Sequence, residues 1–146
     1  MKIKDCMESN VYYLKPENTI QDCAQMMSNN HIGCVPICDD NKKIVGLVTD
    51  RDIILRSIAW DKNIKTTPLS EIMTTNVCYC NSNLEICEAQ ELMSKNKVRR
   101  LPIVNDNKEI IGIITLGDLA KNNNTNNNEV YYLFETICKC NDKNAE

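Results

Sequence analysis

The chain reads as an α+β (α/β-like) protein in which two β-α-β-β-α repeats pack sheet to sheet and a C-terminal helix follows. Three observations lead there. The sequence matches itself when shifted by 66 residues. Each copy passes between strand-like and helix-like periodicity in the same order. A unit of about fifty residues buries too small a share of its surface to be comfortable alone, so two such units gain by sharing an apolar face.

The self-match runs without a gap from Asp5 to Ile53, with seventeen identities over 49 positions. Met7 falls on Met73, Asn10 on Asn76, Ile20 on Ile86, Pro36-Ile37 on Pro102-Ile103, and Asp40-Asn41-Lys42 on Asp106-Asn107-Lys108. Gly46, Thr49 and Asp52 fall on Gly112, Thr115 and Asp118.

The elements follow in chain order. Val11-Tyr12-Tyr13, β-branched and aromatic, suggests a strand. Thr19 can cap a helix with Ile20, Cys23, Ala24 and Met27 at helical spacing, ending near Asn29-Asn30. Two apolar runs, Cys34 to Cys38 and Ile44 to Val48, flank the turn-forming Asp39-Asp40-Asn41 and predict a hairpin. Asp50 can cap a second helix from Asp52 to Ala59. The second copy repeats this, with Asn83 as cap before a helix from Glu85 to Lys95, strands near Leu101 to Val104 and Ile110 to Thr115, and a helix from Gly117. Residues 1–66 are assigned to the first repeat with its linker and 67–121 to the second. The asparagine-rich run 122–128 has the composition of a linker. In 129–146, Val130, Leu133, Phe134 and Ile137 form one helical stripe, which predicts a helix docked on this subunit or a partner.

Composition narrows the function classes. Hydrophobic residues make up 42% and charged ones 25%, with a net charge of −3, as in ordinary globular domains. The basic residues are scattered except at Lys97, Arg99 and Arg100, which argues against a nucleic-acid surface. No apolar run approaches the roughly 18 residues of a membrane span, and the N-terminus lacks a signal-peptide core, so no membrane role and a cytoplasmic location are expected. Nine cysteines accompany a single histidine. That is a poor match to zinc spacing, and small thiols in a reducing compartment are the simpler reading, with no metal expected. His31 follows a helix end and reads as an exposed or C-capping residue rather than a catalyst. Neither a P-loop nor G-x-G-x-x-G occurs. No catalytic residues are assigned, and the chain is not expected to be an enzyme.

The segments G-L-V-T-D-R-D (Gly46 to Asp52) and G-I-I-T-L-G-D (Gly112 to Asp118) remain. In each, a threonine ends an apolar strand and an aspartate sits in the first helical turn. The pair serves as an N-cap, and it also offers a hydroxyl, backbone N–H groups and a carboxylate suited to a phosphate and a ribose diol. Duplication copies structural caps as readily as ligand contacts, so both readings stand on these residues alone.

Further motifs surround these two: I-M-T-T-N-V (Ile72 to Val77), L-M-S-K-N-K (Leu92 to Lys97) and V-R-R-L-P-I-V (Val98 to Val104), with D-C-M-E-S-N-V, M-M-S-N-N and I-G-C-V-P-I in the first copy. Together they resemble the cystathionine-β-synthase-type (CBS) domain, and the tandem resembles a CBS pair, or Bateman module, over roughly Lys4 to Lys121. The resemblance implies a regulatory module that binds an adenine nucleotide (AMP, ADP or ATP), adenosine or S-adenosylmethionine without a prosthetic group. It implies signalling through a homodimer or a regulated partner protein that is still unknown. Ligand contacts are implied at Thr49 with Asp52 and at Thr115 with Asp118. The adenine is expected near Val11 with Cys34, Val35 and Pro36, or near Val77 with Arg100, Leu101 and Pro102. Arg99 and Arg100 match basic positions that reach phosphate, although an exposed basic strand edge also explains them. Gly33 and Cys34 replace them in the first repeat, where Arg51 is the nearest substitute, so the Thr115/Asp118 site is expected to be the better anion binder. Two rival readings are a protein-interaction module that has lost its ligand and a thiol or metal sensor using Cys34, Cys38, Cys78 and Cys80.

Overall fold

Pro16 and Ser82 occupy the same place in the two repeats, and that difference decides how much sheet each one makes. The computed structural model describes residues 1–122 and 126–142, the last four of these by backbone only. The first repeat contains α1 (Ile20–Asn30), β1 (Cys34–Cys38), β2 (Ile44–Thr49) and α2 (Asp50–Ile53), which runs on as a π-helical turn over Ile54–Ile58. The second contains β3 (Cys80–Asn81), α3 (Ile86–Asn96), β4 (Arg100–Val104), β5 (Ile110–Thr115) and α4 (Leu116–Lys121), and α5 (Asn127–Asp142) follows.

β4 and β5 pair antiparallel with Arg100 opposite Thr115, and β1 and β2 pair in the same way with Cys34 opposite Thr49. β3 runs parallel to β4, pairing Cys80 with Ile103 and Asn81 with Val104. Its counterpart is a single bridge, Leu14 with Ile37. The Ser82 N–H donates to the Val104 carbonyl at 3.0 Å and continues the ladder, whereas Pro16 has no N–H to donate. The strand expected at Val11 to Tyr13 is absent, as is one over its counterpart 77–79; pairing begins one residue later, at Leu14 in the first repeat and Cys80 in the second.

The compact units do not coincide with the repeats. Tyr12–Val77 form one, and Met1–Val11 with the chain from Cys78 onward form the other. Each repeat's lead-in thus belongs to the body of the other repeat. In the second unit the Ile3 N–H donates to the Leu84 carbonyl at 2.9 Å, and Glu8 and Ile113 exchange two backbone bonds of 2.9 and 3.0 Å. In the first unit the Leu69 N–H donates to Asn18 at 2.8 Å, and Leu47 and Thr74 exchange two bonds of 2.9 Å. Ile3 and Leu69, 66 residues apart, are both fully buried.

These crossings explain the motif glycines. A Cβ on Gly112 would lie 2.8 Å from the Glu8 carbonyl oxygen, and one on Gly46 would collide with the Met73 side chain. Overpacking of this kind typically costs about 1–3 kcal/mol. Gly112→Ala, which meets backbone, is expected to lose that much stability in chemical denaturation.

Helix starts are local. Thr19, Thr49 and Thr115 each accept a hydrogen bond from the backbone N–H of an aspartate three residues on, whose carboxylate accepts the threonine N–H in return. This reciprocal arrangement satisfies two otherwise orphaned donors. It moves the second cap from the expected Asp50 to Thr49, so that α2 begins at Asp50. α3 is entered from Glu85 rather than Asn83, with the Glu85 N–H bonded to Glu88 Oε2 at 2.9 Å. His31 is exposed and is the left-handed C-cap of α1, its N–H bonded to the Met27 carbonyl.

α5 starts at Asn127, inside the asparagine run, of which 123–125 lie outside the described residues. Val130, Leu133 and Ile137 are buried in one core with Ile3, Ala89, Met93, Leu101 and Leu119. Phe134, expected in that stripe, is 45% exposed.

Candidate functional site

The register of β4 and β5 builds the most developed site. Pairing Arg100 with Thr115 places a guanidinium-bearing residue directly across from the threonine that opens α4. The Leu116 N–H donates to the Arg99 carbonyl at 2.9 Å, which fixes both arginines against the head of that helix. Arg99, Arg100, Thr115, Leu116, Gly117 and Ala120 line one side of a cavity of about 580 Å³. Asn127, Val130, Tyr131 and Phe134 of α5 line the other.

Asp118 holds the helix start. Its Oδ2 accepts the Thr115 N–H at 2.8 Å and the Thr115 hydroxyl at 2.7 Å, while its own N–H donates to Thr115 Oγ1 at 3.1 Å. The described residues make no hydrogen bond or ion pair with its Oδ1. A carboxylate has about four lone-pair sites, so the cap and a ligand hydroxyl can be served together. The two arginines diverge. Arg99 lies over the Phe134 ring, 5.7 Å from its centroid, and its Nη2 donates to Cys138 Sγ at 3.8 Å, a cation–π arrangement that holds it against α5. Arg100 is half-buried and lines the cavity.

Leu101 and Pro102, assigned to the adenine side, are both buried and are not among the residues lining this cavity. Leu101 is fully enclosed in the core, because alternation along the strand turns it away from the face that carries Arg100. Val11 is the last residue of the second-repeat unit's lead-in and Val77 the last residue of the other unit; both are half-buried.

The corresponding place in the first-repeat unit has different electrostatics. Thr49 and Asp52 form the same cap, with bonds of 2.9 and 3.1 Å, but Asp52 Oδ1 also faces Arg56 Nη2 at 3.6 Å. Arg56 is anchored by the Ile72 carbonyl and Thr74 Oγ1 at 3.0 and 3.1 Å. Asp50 lies against Gly33, where a Cβ would be 2.9 Å from its carboxylate. An acid therefore stands beside the position that holds Arg99 in the second repeat. Cys34, Val35 and Pro36 are buried, and Arg51 is exposed.

Sequence reasoning missed Tyr131, Asn127 and the acidic role of Asp50. Tyr131 falls outside the buried stripe of α5. Asp50 became legible only from the close approach of Gly33.

The family model for the CBS domain matches residues 3–58 and again 69–123. The chain belongs to the CBS domain family. The CBS domain-containing protein YhcV of Bacillus subtilis is 39% identical over 124 residues, covering 85% of this chain and 86% of that one. The CBS domain pair of protein MJ0100 in complex with 5-methylthioadenosine and S-adenosyl-L-methionine superposes with a TM-score of 0.73 at 28% identity, covering 83% of this chain and 94% of that one. CBSX2 in complex with AMP gives 0.68 at 26%, covering 80% and 91%. Hypoxic Response Protein I, with two coordinated zinc ions, gives 0.76 at 30%, covering 83% and 98%.

In this CBS pair Cys23, Cys34, Cys38 and Cys80 are buried, while Cys6, Cys78 and Cys138 are half-buried and Cys87 is exposed. Cys34 and Cys38 fall in one unit and Cys78 and Cys80 in the other. Among the described residues no group of three or more His, Cys, Asp or Glu is placed to hold a metal. Burial pushes the thiols of Cys23 and Cys38 up to about 12 and that of Cys80 up to about 11. They stay protonated at neutral pH, and a protonated thiol is a poor nucleophile. Below the ordinary thiol value both states hold the proton and stability is unaffected. As pH rises from about 9 toward 12 the unfolded chain loses those protons first and the folded state loses stability. A thiol reagent at pH 8 is expected to modify exposed Cys87 rapidly, leaving these three protected until unfolding, as read by mass spectrometry of the modified protein.

Among the described residues no helix is long and apolar enough to cross a membrane.

Proposed function

We propose that this CBS pair is a regulatory module that binds an adenine nucleotide or adenosine derivative at the second-repeat site and signals through the association of its own copies or with a partner protein. The observation that carries the reading is Arg100 opposite Thr115 at the head of α4, on the wall of a cavity. A phosphate fits there beside the Arg100 guanidinium, and a ribose hydroxyl is assigned to the Oδ1 of Asp118, a residue next to, not among, those lining the cavity. Adenosine-bearing ligands in MJ0100 and CBSX2 support the ligand class. The first-repeat site, with Asp50 beside Gly33, takes an uncharged adenosine compound or none. Such a module has no catalytic task and acts in the cytoplasm.

Self-association is the simplest output. Ile54, Leu55, Ile58 and Trp60 leave a run of exposed apolar side chains on the first-repeat unit, and contiguous patches of this kind mark interaction surfaces. A homodimer covering them is expected in sedimentation velocity.

Thermal-shift and calorimetric titration with AMP, ADP, ATP, adenosine and S-adenosylmethionine tests the reading. A ligand at 100 times its Kd stabilises the fold by about 2.7 kcal/mol. Absence of any shift defeats the proposal, and unchanged binding to Asp118→Ala defeats the assignment of the ribose contact.

A further inference from the structure

We propose that Arg56 keeps the first-repeat site closed to a ribose by pairing with the carboxylate that would hold it; the assignment of ribose to this carboxylate rests on the nucleotide reading above. The two caps differ at one oxygen. Both aspartates use Oδ2 to accept the threonine N–H, at 2.9 Å in Asp52 and 2.8 Å in Asp118, which leaves Oδ1 for a ligand hydroxyl. In Asp52 that oxygen faces Arg56 Nη2 at 3.6 Å, and the aspartate side chain is only 15% exposed. The position matching Arg56, 66 residues on, is Asn122. Asn122 brings no charge, and its amide donates to Met1 Sδ at 3.2 Å. Among the described residues no cation pairs with Asp118.

A half-exposed ion pair alone contributes little, because a long cationic side chain can swing away from its partner. Arg56 is held in place. Its Nη1 donates to the Ile72 carbonyl at 3.0 Å and to Thr74 Oγ1 at 3.1 Å, and both belong to the same compact unit as Asp52. The rigid guanidinium fork ties Nη2 to whatever fixes Nη1. A ribose diol reaching Asp52 Oδ1 would therefore replace a charged partner with neutral hydroxyls, which make weaker hydrogen bonds to a carboxylate. Asp50 beside Gly33 disfavours a phosphate at this site, and Arg56 extends the closure to nucleosides that have none.

Calorimetric titration of the full chain with adenosine tests this, on wild type, Arg56→Gln and Arg56→Met, each alone and combined with Asp118→Ala. Adenosine is the probe because it carries no phosphate for Asp50 to repel. Wild type is expected to bind one equivalent and Asp118→Ala none. Each Arg56 variant is expected to bind two equivalents alone and one in the Asp118→Ala background, at least about tenfold more tightly than Asp118→Ala by itself, the factor for regaining a hydrogen bond to a charged group. Glutamine keeps an amide donor for the Ile72 carbonyl and methionine keeps only an apolar stem, so the two can differ in stability and still agree in binding. AMP binding by the single variants at the second-repeat site, which neither substitution touches, shows that the chain is folded. If wild type binds two equivalents of adenosine, or if neither variant that retains AMP binding gains the second event, the role of Arg56 is overturned while the nucleotide reading stands. If wild type binds neither adenosine nor AMP, both fall.

Discussion

Ile3→Ala is expected to lower the unfolding free energy by about 2–5 kcal/mol, the range for truncating a fully buried isoleucine. The size of that loss is not evident from position, since Ile3 is the third residue of the chain and chain ends usually tolerate change. Here it is fully buried and belongs to the core built by Ala89, Met93, Leu101, Ile103 and Leu119. Its own N–H is bonded to the Leu84 carbonyl, so the lead-in is held by sheet-like pairing as well as by apolar contact. Urea denaturation of the full chain measures the loss, and Lys4→Ala, at an exposed neighbouring position, is expected to change stability by less than about 0.5 kcal/mol. Equal effects at the two positions would show that the lead-in does not belong to the second-repeat core.

Arg100→Ala is expected to weaken AMP binding by roughly tenfold to a hundredfold, the factor that corresponds to losing a hydrogen bond to a charged group. Stability changes little, because the backbone pairing of Arg100 with Thr115 survives the substitution and the side chain is half-exposed. Rising salt should weaken AMP binding to wild type more steeply than to the variant, since screening acts on the charge that was removed. Arg51→Ala, on the acidic first-repeat site, is expected to leave AMP affinity within about twofold; an isolated surface charge contributes little. Undiminished AMP binding by Arg100→Ala would place the anion away from the β4–β5 edge.

How much of this was legible in sequence depended on how far apart the interacting residues lie. The T-x-x-D caps were readable because donor and acceptor are three residues apart and need nothing else to meet. The cap of α2 was still misplaced by one residue, since Asp50 and Thr49 are both good caps, and only the reciprocal bond with Asp52 selects between them. The hairpins were readable from apolar runs around Asp-rich turns. The strand at Val11 to Tyr13 was not: propensity favours it, but in both copies the pairing starts only at Leu14 and Cys80, where the chain meets the hairpin strand. Leu101 and Pro102 were grouped with Arg100 as neighbours in sequence, while the pleat turns Leu101 into the core and Arg100 onto the cavity.

By itself the sequence determined the duplication, the family, the helix–hairpin–helix order within each repeat and the unequal charge at matched positions of the two repeats, because these rest on identity at a fixed offset, on periodicity and on which residue types stand at those positions. Tertiary structure alone decided which repeat each lead-in joins, why Gly112 has to be glycine, and which arginine is held against α5. Those outcomes turn on contacts between residues dozens of positions apart. A repeat alignment shows that Ile3 and Leu69 are equivalent, but equivalence carries no information about which copy each one packs against.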